Sequence, residues 1–445
     1  MEQSRRDFLK KAAVSAAGLT FAGLKLQARS VRNAPGANAR VRVAVIGANS
    51  RGSSLARSIA RSKSGEVAYL CDVDKRVIED RVPMIQDLQG KKPQGVIDFR
   101  RALDDDSVDA VAIATPDHWH TPAGIMALKA GKHVYVEKPY SHNPYEAKLF
   151  VEAQKKYGKI VQVGTQLRSS PVSMEAVRKV QDGVIGRPYY GKGEYGGTRG
   201  SIGHGKVVPI PEWLNYELWQ GPAPRIAYRD NVIHYNWHWF RRWGTGELPA
   251  NGIHDVDLIR WAMGIDGYPV TISSMGERFA YEDDWEFPDT QSTIFKYNDR
   301  KMIGWESKSA TGPSALRDGL GFRVVIYGTE GTIFFSHTAY EIRDLGGNKI
   351  QTSEGDLEEA DDRMAGGDIT TAHIEDFFNS IKDNSPNRTP IDEAEKSEIL
   401  CALGNISWYT GRTLRINPKN GHILDDGEAM QMWSRTYEPG WEPRI

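Results

Sequence analysis

Val41-Arg-Val-Ala-Val-Ile46-Gly47-Ala-Asn49-Ser-Arg-Gly52 is the stretch that decides the fold of this chain. The run Val41–Ile46 has the unbroken, β-branched character of a strand covered on both faces. Gly47 and Gly52 follow at once, and a helix is predicted from Ser53 to Ser62. A second strand, Glu66 to Cys71, ends at Asp72, twenty-five residues after Gly47. Strand, glycine turn, helix, strand and acid in this order is the arrangement that holds a dinucleotide. The first glycine lets the backbone turn tightly, and Gly52 lets helix and strand pack closely. The helix start, with Ser50 and Arg51, presents N–H groups and a positive dipole to a pyrophosphate. Asn49 stands where the middle glycine would be. It tolerates left-handed backbone, so the turn survives, although its side chain crowds the phosphate. Asp72 is placed to accept hydrogen bonds from a ribose and to repel a 2′-phosphate. This favours NAD over NADP, with Arg76 moderating the preference.

Two further strands are expected to end in polar loops. Val108 to Thr115 runs into Pro116-Asp-His118-Trp-His120, before a helix from Pro122 to Ala130. His133 to Val136 runs into Glu137-Lys138-Pro139-Tyr140, before a helix from Pro144 to Tyr157; Ile160 to Val163 closes the pattern. Ligands of doubly wound sheets sit beyond the carboxyl ends of the strands, so these loops share one rim with the glycine turn. Thr115, Pro116, His120, Glu137, Lys138 and Gln166 therefore join Gly47, Asn49, Ser50, Arg51, Gly52 and Asp72 as candidate cofactor contacts.

From Gly164 the period changes. A helix over 171–182 precedes strand-like stretches at 187–195, 270–278, 290–297, 301–307, 322–327 and 331–335. The expectation is an α/β protein: a Rossmann-type parallel-sheet domain over 40–164, then an α+β domain over 165–445 with an open, largely antiparallel sheet. Helices at Thr370–Ser380 and Asp392–Thr410 cover the cores and pack back on the first domain, and the acidic stretch 351–366 reads as a surface loop. The segment Gly196–Trp243 is too long for a plain connection. Within it, His234-Tyr-Asn236-Trp-His238-Trp-Phe-Arg241-Arg-Trp243 alternates aromatic and polar residues, as a surface for sugar rings does; an aromatic packing cluster under the loop is the alternative. Asn236 and His238 are candidate substrate contacts. Gly252–Gly264 reads as a helix with His254 and Asp257 one turn apart.

The chain has 445 residues, 40% of them apolar, and 57 Lys+Arg against 58 Asp+Glu leave a formal charge of −1. That balance argues against a nucleic-acid binder or a polybasic membrane-surface protein. The two cysteines, Cys71 and Cys401, form no disulfide framework, and neither HExxH nor a nucleophile elbow occurs, so no metal is expected. Ser4-Arg5-Arg6-Asp7-Phe8-Leu9-Lys10, followed by a mild apolar run to Leu24, resembles a twin-arginine export signal. The run is too short to span a bilayer and no cysteine follows it, so residues 1–39 read as a signal and linker, without a stable membrane anchor, for a periplasmic protein.

The glycine turn, Ala114-Thr-Pro-Asp-His-Trp-His120, Glu137-Lys-Pro139 and Gly252-Ile-His254-Asp-Val-Asp257 together resemble the Gfo/Idh/MocA oxidoreductase family over about residues 40–420. The resemblance implies an oxidoreductase acting on a hydroxyl of a sugar, polyol or glycoside. It also implies a homo-oligomer built through the second domain's sheet. It gives Lys138 the role of holding the hydroxyl and stabilising the alkoxide, and His254 that of general base, roles suited to an ammonium and an imidazole. The plain alternatives are an ion-paired surface lysine and a buried structural histidine. Arg168 and Asn251 complete the candidate substrate contacts. Members often carry an acid or amide four residues before the histidine, where this chain has Ala250. Either Asn251 reaches the substrate through a shifted loop, or that contact is lost.

Export adds a further expectation. Outside the cytoplasm no NAD pool exists for exchange, so a cofactor loaded before export has to be restored within each cycle. Hydride exchange between two sugars does this, and so does a glycosidase that oxidises transiently, eliminates, and returns the hydride. A non-catalytic sugar-binding protein of the same fold is the third reading.

Overall fold

The computed structural model describes residues 40–312, 323–336, 339–353 and 368–445. The expected export signal and most of the acidic stretch, 354–366, lie outside them. The first half runs β1 (Val41–Ile46), α1 (Ser50–Arg61), β2 (Gly65–Cys71), α2 (Lys75–Gln89), β3 (Gln94–Val96), β4 (Ala110–Ile113), α3 (Asp117–Lys129), β5 (His133–Val136), α4 (Pro144–Tyr157) and β6 (Val161–Val163), short helical turns aside. These strands form one sheet in the order β3-β2-β1-β4-β5-β6, with every pairing parallel. The order reverses direction between β1 and β4, which opens a crevice at the carboxyl edge there.

Helix α1 begins three residues before the predicted start, because Asn49 caps it: its Oδ1 accepts the N–H of Ser50 at 2.9 Å. Asn49 is extended (φ −83°), not left-handed. The positive φ falls instead on Gly47 (+81°) and Ser50 (+35°). A Cβ on Gly47 would stand 2.6 Å from the carbonyl oxygen of Ala114, and one on Gly52 would stand 1.7 Å from that of Gly47. Both glycines are thus required by close backbone approach.

A larger correction concerns Pro116–His120. Sequence reads it as a loop, yet Asp117–His120 form the first turn of α3, with Pro122 inside the helix. A proline there has no N–H for the carbonyl four residues back. That carbonyl, on His118, is satisfied by Arg435 Nη2 of the C-terminal tail at 2.8 Å.

The second half contains α5 (Pro171–Gln181), β7 (Pro188–Gly196), α6 (Ile253–Ala262), β8 (Thr271–Glu277), β9 (Thr290–Lys296), β10 (Met302–Lys308), β11 (Val324–Gly328), β12 (Gly331–Phe335), β13 (Tyr340–Asp344), β14 (Lys349–Thr352), α7 (Asp368–Asp383), α8 (Ile391–Thr410), β15 (Leu414–Ile416) and β16 (Ile423–Leu424). The ten described strands make one open sheet, β14-β13-β12-β11-β7-β10-β9-β8-β15-β16, antiparallel except where β7 meets β10. The strands β13–β16 have no counterpart among the sequence expectations, and Gln351 and Thr352 of the acidic stretch belong to β14.

Two helices tie the halves together. On α7, Phe377 and Phe378 pack with Leu55 and Ile59 of α1; full burial of such side chains stabilises by about 1.5–3 kcal/mol each. His373, on the same helix, sets Nε2 against the Val163 carbonyl (2.9 Å) and Nδ1 against the Ser169 hydroxyl (2.7 Å). On α8, Glu398 accepts backbone N–H groups of Tyr140 and Ser141 (3.2 and 3.4 Å).

Candidate active site

A cavity of about 590 Å³ opens at the carboxyl edge of the parallel sheet, beside the β1–β4 crevice. The nucleotide turn forms one wall, through Gly47, Asn49, Ser50 and Arg51, with Asp72 at the end of β2. Gly52 lies behind the turn and does not line the cavity. Asp72 is braced by backbone donors: Oδ2 takes the N–H of Ala48 at 2.9 Å and Oδ1 that of Asp74 at 3.0 Å. Arg76 turns away from it, bonded to Asp74 (2.7 Å) and stacked 3.5 Å over Trp213. Among the described residues Asp72 makes no ion pair, and the nearby Arg76 is committed to Asp74, away from where a 2′-phosphate would sit.

The ends of β4 and β5 form the floor. Thr115, Pro116, His120, Glu137, Lys138 and Gln166 all line the cavity. The Thr115 hydroxyl is buried and has no hydrogen-bond partner among the described residues. His120 clamps the two loops, one ring nitrogen 2.6 Å from the Pro139 carbonyl and the other 2.8 Å from that of Thr115. Glu137 Oε1 receives Arg51 Nε (2.8 Å), Gln166 Nε2 (3.0 Å) and the Tyr135 hydroxyl (3.3 Å). Burial opposes its charge, but Arg51 and Lys138 outweigh burial and hold its carboxyl below the usual range. Lys138 Nζ donates to the Ala250 carbonyl at 2.5 Å. Burial draws its ammonium below the ordinary lysine value, against the support of Glu137 and Asp117.

The second domain closes the cavity. A π-helical turn, Leu248–Gly252, precedes α6. Its wider winding places both Ala250 and Asn251 on the cavity wall, followed by His254 in the first turn of α6. Asn251 thus does reach the site, through the shifted backbone that a π-turn supplies. Asn251 Nδ2 bonds Glu247, whose wholly buried carboxylate also receives Arg199 Nε at 3.0 Å.

The aromatic segment divides between two roles. Trp239, Phe240 and Trp243 are buried packing residues, whereas His234, Tyr235, Trp237 and His238 line the cavity. Tyr235 holds φ +80° and ψ −50° while Asn236 N–H bonds the His234 carbonyl at 3.1 Å, a γ-turn of the strained hand. Such a conformation costs on the order of 1–3 kcal/mol and is found where surrounding structure enforces it, frequently at functional sites. Its ring and hydroxyl meet Arg199, which also lies 5.0 Å from the Trp239 ring. His238 sets Nδ1 against the Tyr235 carbonyl (2.5 Å), and burial pushes its imidazole down to about 3, leaving it neutral.

Two expected substrate contacts are not part of the wall. Arg168 is folded inward, gripping Asp257 with both arms (2.7 and 2.8 Å), because a buried carboxylate on α6 demands a bidentate partner. Asn236 turns its amide back to the Asn231 carbonyl at 2.9 Å, stapling the loop instead of entering the cavity. In exchange the fold supplies Asp117, Arg199, Trp219, His234 and Tyr235, which sequence reading did not single out. Asp117 is buried, accepts the Thr245 hydroxyl at 2.7 Å, and is pushed by burial up to about 7.

A tight glycine turn, a helix start without acidic residues, an acid at the end of β2 and the Thr115 hydroxyl, which has no partner among the described residues, all fit a dinucleotide. Comparison with known proteins agrees. The family description "Oxidoreductase family, NAD-binding Rossmann fold" matches residues 41–165, and "Oxidoreductase family, C-terminal alpha/beta domain" matches 212–402. A glycosyl hydrolase family 109 protein of Saccharopolyspora erythraea is 30% identical over 252 residues, 51% of this chain and 55% of that protein. One from Shewanella pealeana is 28% identical over 211 residues, 44% of this chain and 46% of that protein. The chain thus spans about half the length of these curated relatives. Among solved structures, levoglucosan dehydrogenase with NADH and levoglucosan superposes with TM-score 0.65 at 17% identity, over 85% of this chain and 99% of that one. Aldose–aldose oxidoreductase from Caulobacter crescentus gives 0.63 at 17%, over 85% and 100%. At those identities the likeness concerns the fold. With both of its domains matched, the chain belongs to the Gfo/Idh/MocA oxidoreductase family, and its first half is an NAD-binding Rossmann domain.

Proposed function

We propose that this protein oxidises a hydroxyl of a sugar, polyol or glycoside with tightly held NAD, after export to the periplasm by the twin-arginine route. One observation carries the reading: Lys138 from the first domain and His254 from the second line the cavity that the nucleotide turn borders. When bound, NAD supplies a hydride acceptor and donor. The chain's own groups do the rest. Lys138, anchored through one N–H to Ala250, has further N–H groups to hold the substrate oxygen and stabilise its developing negative charge. His254 takes the hydroxyl proton. Tyr235 and Trp237 offer ring faces to the apolar side of a sugar, and Asn251 and Arg199 offer polar atoms to its edge. His120 keeps the two loops in register. An ion-paired, aromatic-walled cavity of this kind suits an uncharged polyhydroxylated ligand.

Export makes a redox-neutral cycle the natural form of this chemistry, and a glycosidase is its second form. The glycosyl hydrolase family 109 proteins among the relatives favour that second form. Hydride exchange between sugars finds support in the likeness to an aldose–aldose oxidoreductase. The subunits associate through the open face of the ten-stranded sheet, where Tyr190 and Tyr327 stack and Lys192 pairs with Glu306 (2.9 Å); light scattering tests this.

The decisive experiment is mass spectrometry of the nucleotide released on denaturing the purified protein, followed by a panel of sugars and aryl glycosides watched at the NADH absorbance. Released NAD(H), with absorbance that rises on one sugar and falls on a second, supports hydride exchange. Aglycone release without net NADH, with solvent deuterium entering beside the oxidised carbon, supports the glycosidase. No nucleotide and no response to any sugar would refute both.

A further inference from the structure

Among the described residues, two acids of the cavity wall, Asp72 and Asp117, make no ion pair. Glu137 pairs with Arg51 at 2.8 Å, Glu247 with Arg199 at 3.0 Å, and Asp72 is held by two backbone N–H groups. Asp117 is only 2% exposed, yet among the described residues it makes no ion pair; its carboxylate accepts the Thr245 hydroxyl. Lys138 stands in the same position among the cations. Arg51 and Arg199 have carboxylate partners, while the Lys138 ammonium rests on a carbonyl oxygen. Both groups line the same cavity, on the segments that leave the paired strands β4 and β5 and that His120 bridges. Lys138 is supported first by Glu137, whose charge Arg51 shares, and then by Asp117.

We infer that Asp117 is a positioning residue for Lys138: beside Glu137, whose charge is shared with Arg51, its carboxylate is a countercharge that keeps Lys138 an ammonium, able to hold a substrate oxygen, at the alkaline side of neutrality. This deepens the proposed function and rests on it for the role of Lys138.

The chemistry is a single proton loss from the Asp117 carboxyl to solvent. Lys138 keeps its three N–H bonds, and no redox partner is involved. Lys138 is also faced by Glu137, Arg51, Glu247, His120 and His238, and further groups bear on Asp117. On its own helix, His118 bonds the Trp219 carbonyl and His120 is clamped between two carbonyls. Glu398 of α8 interacts with it through like charge and is itself pushed by burial up to about 8, so it adds little negative charge at neutrality. Burial brings Asp117 to ionise near neutrality, so its charge arrives as pH rises toward the range where a buried Lys138 would lose its proton. Removing the carboxylate lowers the pH at which Lys138 becomes a neutral amine. An opposite charge within a few ångströms is typically worth about one pH unit or more.

The test reads Lys138 directly. The purified holoprotein is labelled with trace acetic anhydride, which acylates only neutral amines, across about pH 6 to 11, and Lys138 acetylation is followed by mass spectrometry. Asp117→Asn keeps an acceptor for Thr245 and is expected to move the labelling midpoint down by about one pH unit, with nucleotide content unchanged. Where a substrate turns over, the alkaline limb of kcat/KM moves down with it, which a merely structural residue would not cause. Thr245→Val, which weakens the support of the carboxylate without removing it, moves the midpoint the same way by a smaller step and serves if Asp117→Asn fails to fold. An unmoved midpoint in a folded variant overturns the inference. Labelling needs no turnover, so a failed search for substrates leaves this result standing on its own.

Discussion

Arg51→Met strikes the joint between the nucleotide turn and the loop that carries Lys138. Glu137 is 5% exposed in its side chain, and Arg51, at 27%, is its cationic partner at 2.8 Å; Tyr135 and Gln166 donate to the same oxygen. Removing one partner of a buried pair costs about 3–5 kcal/mol, because the remaining charge is left desolvated. Partial exposure of Arg51, together with the two remaining donors, brings the expected loss below that range, to about 2–3 kcal/mol at pH 7. The pH dependence has a definite sign. In the wild type the Glu137 carboxyl is held below its unfolded value, so its contribution is present above about pH 4.3 and is lost as pH falls through the folded value. Without Arg51, burial raises the carboxyl above its unfolded value, and the folded variant must take up a proton that the unfolded chain releases. The deficit therefore grows as pH rises from 5 to 8, by up to about 1.4 kcal/mol per unit. Urea unfolding followed by tryptophan fluorescence at pH 5, 6, 7 and 8 measures it, read from midpoints at unchanged slope. Glu137→Gln in the Arg51→Met background should recover part of the loss. A deficit under about 0.5 kcal/mol at pH 7, or one independent of pH, would refute the claim that Arg51 neutralises a buried carboxylate.

Asp72→Ala should admit NADP where the wild type holds NAD, read by nucleotide mass spectrometry. It should also lower stability, since the N–H groups of Ala48 and Asp74 lose their acceptor at about 1–3 kcal/mol for each orphaned group. Lys138→Met and His254→Ala should each slow hydride transfer by about 10²–10⁴-fold while still co-purifying with nucleotide, and the double variant should lose less than the product. Near-wild-type single-turnover reduction in His254→Ala would move the base elsewhere. Arg5→Lys with Arg6→Lys should leave the protein in the cytoplasm on fractionation; unimpaired export would remove the basis for a trapped cofactor.

The first domain was legible because its signals are local. Buried parallel strands are short apolar runs, and the turn glycines are dictated by backbone approaches that few other residues permit. Helix α4 even begins and ends at the predicted residues, where Asn143 caps it and Gly158 stops it. Lys138 and His254 could be named from their motifs, yet nothing local says that they share a cavity; that follows from the second domain folding over the first. Three features belong to tertiary structure alone. In the first turn of α3, Arg435, over three hundred residues away, satisfies the His118 carbonyl that Pro122 leaves open. Asn251 reaches the wall only because the chain winds a π-turn over Leu248–Gly252. Arg168 withdraws from the site because Asp257, buried on α6, binds it more strongly than solvent could. Composition and period set which segments become strands and helices. Which polar side chain faces substrate and which is consumed inside the protein depends on pairings across the whole chain, and buried charges choose the nearest satisfying partner whatever its place in sequence.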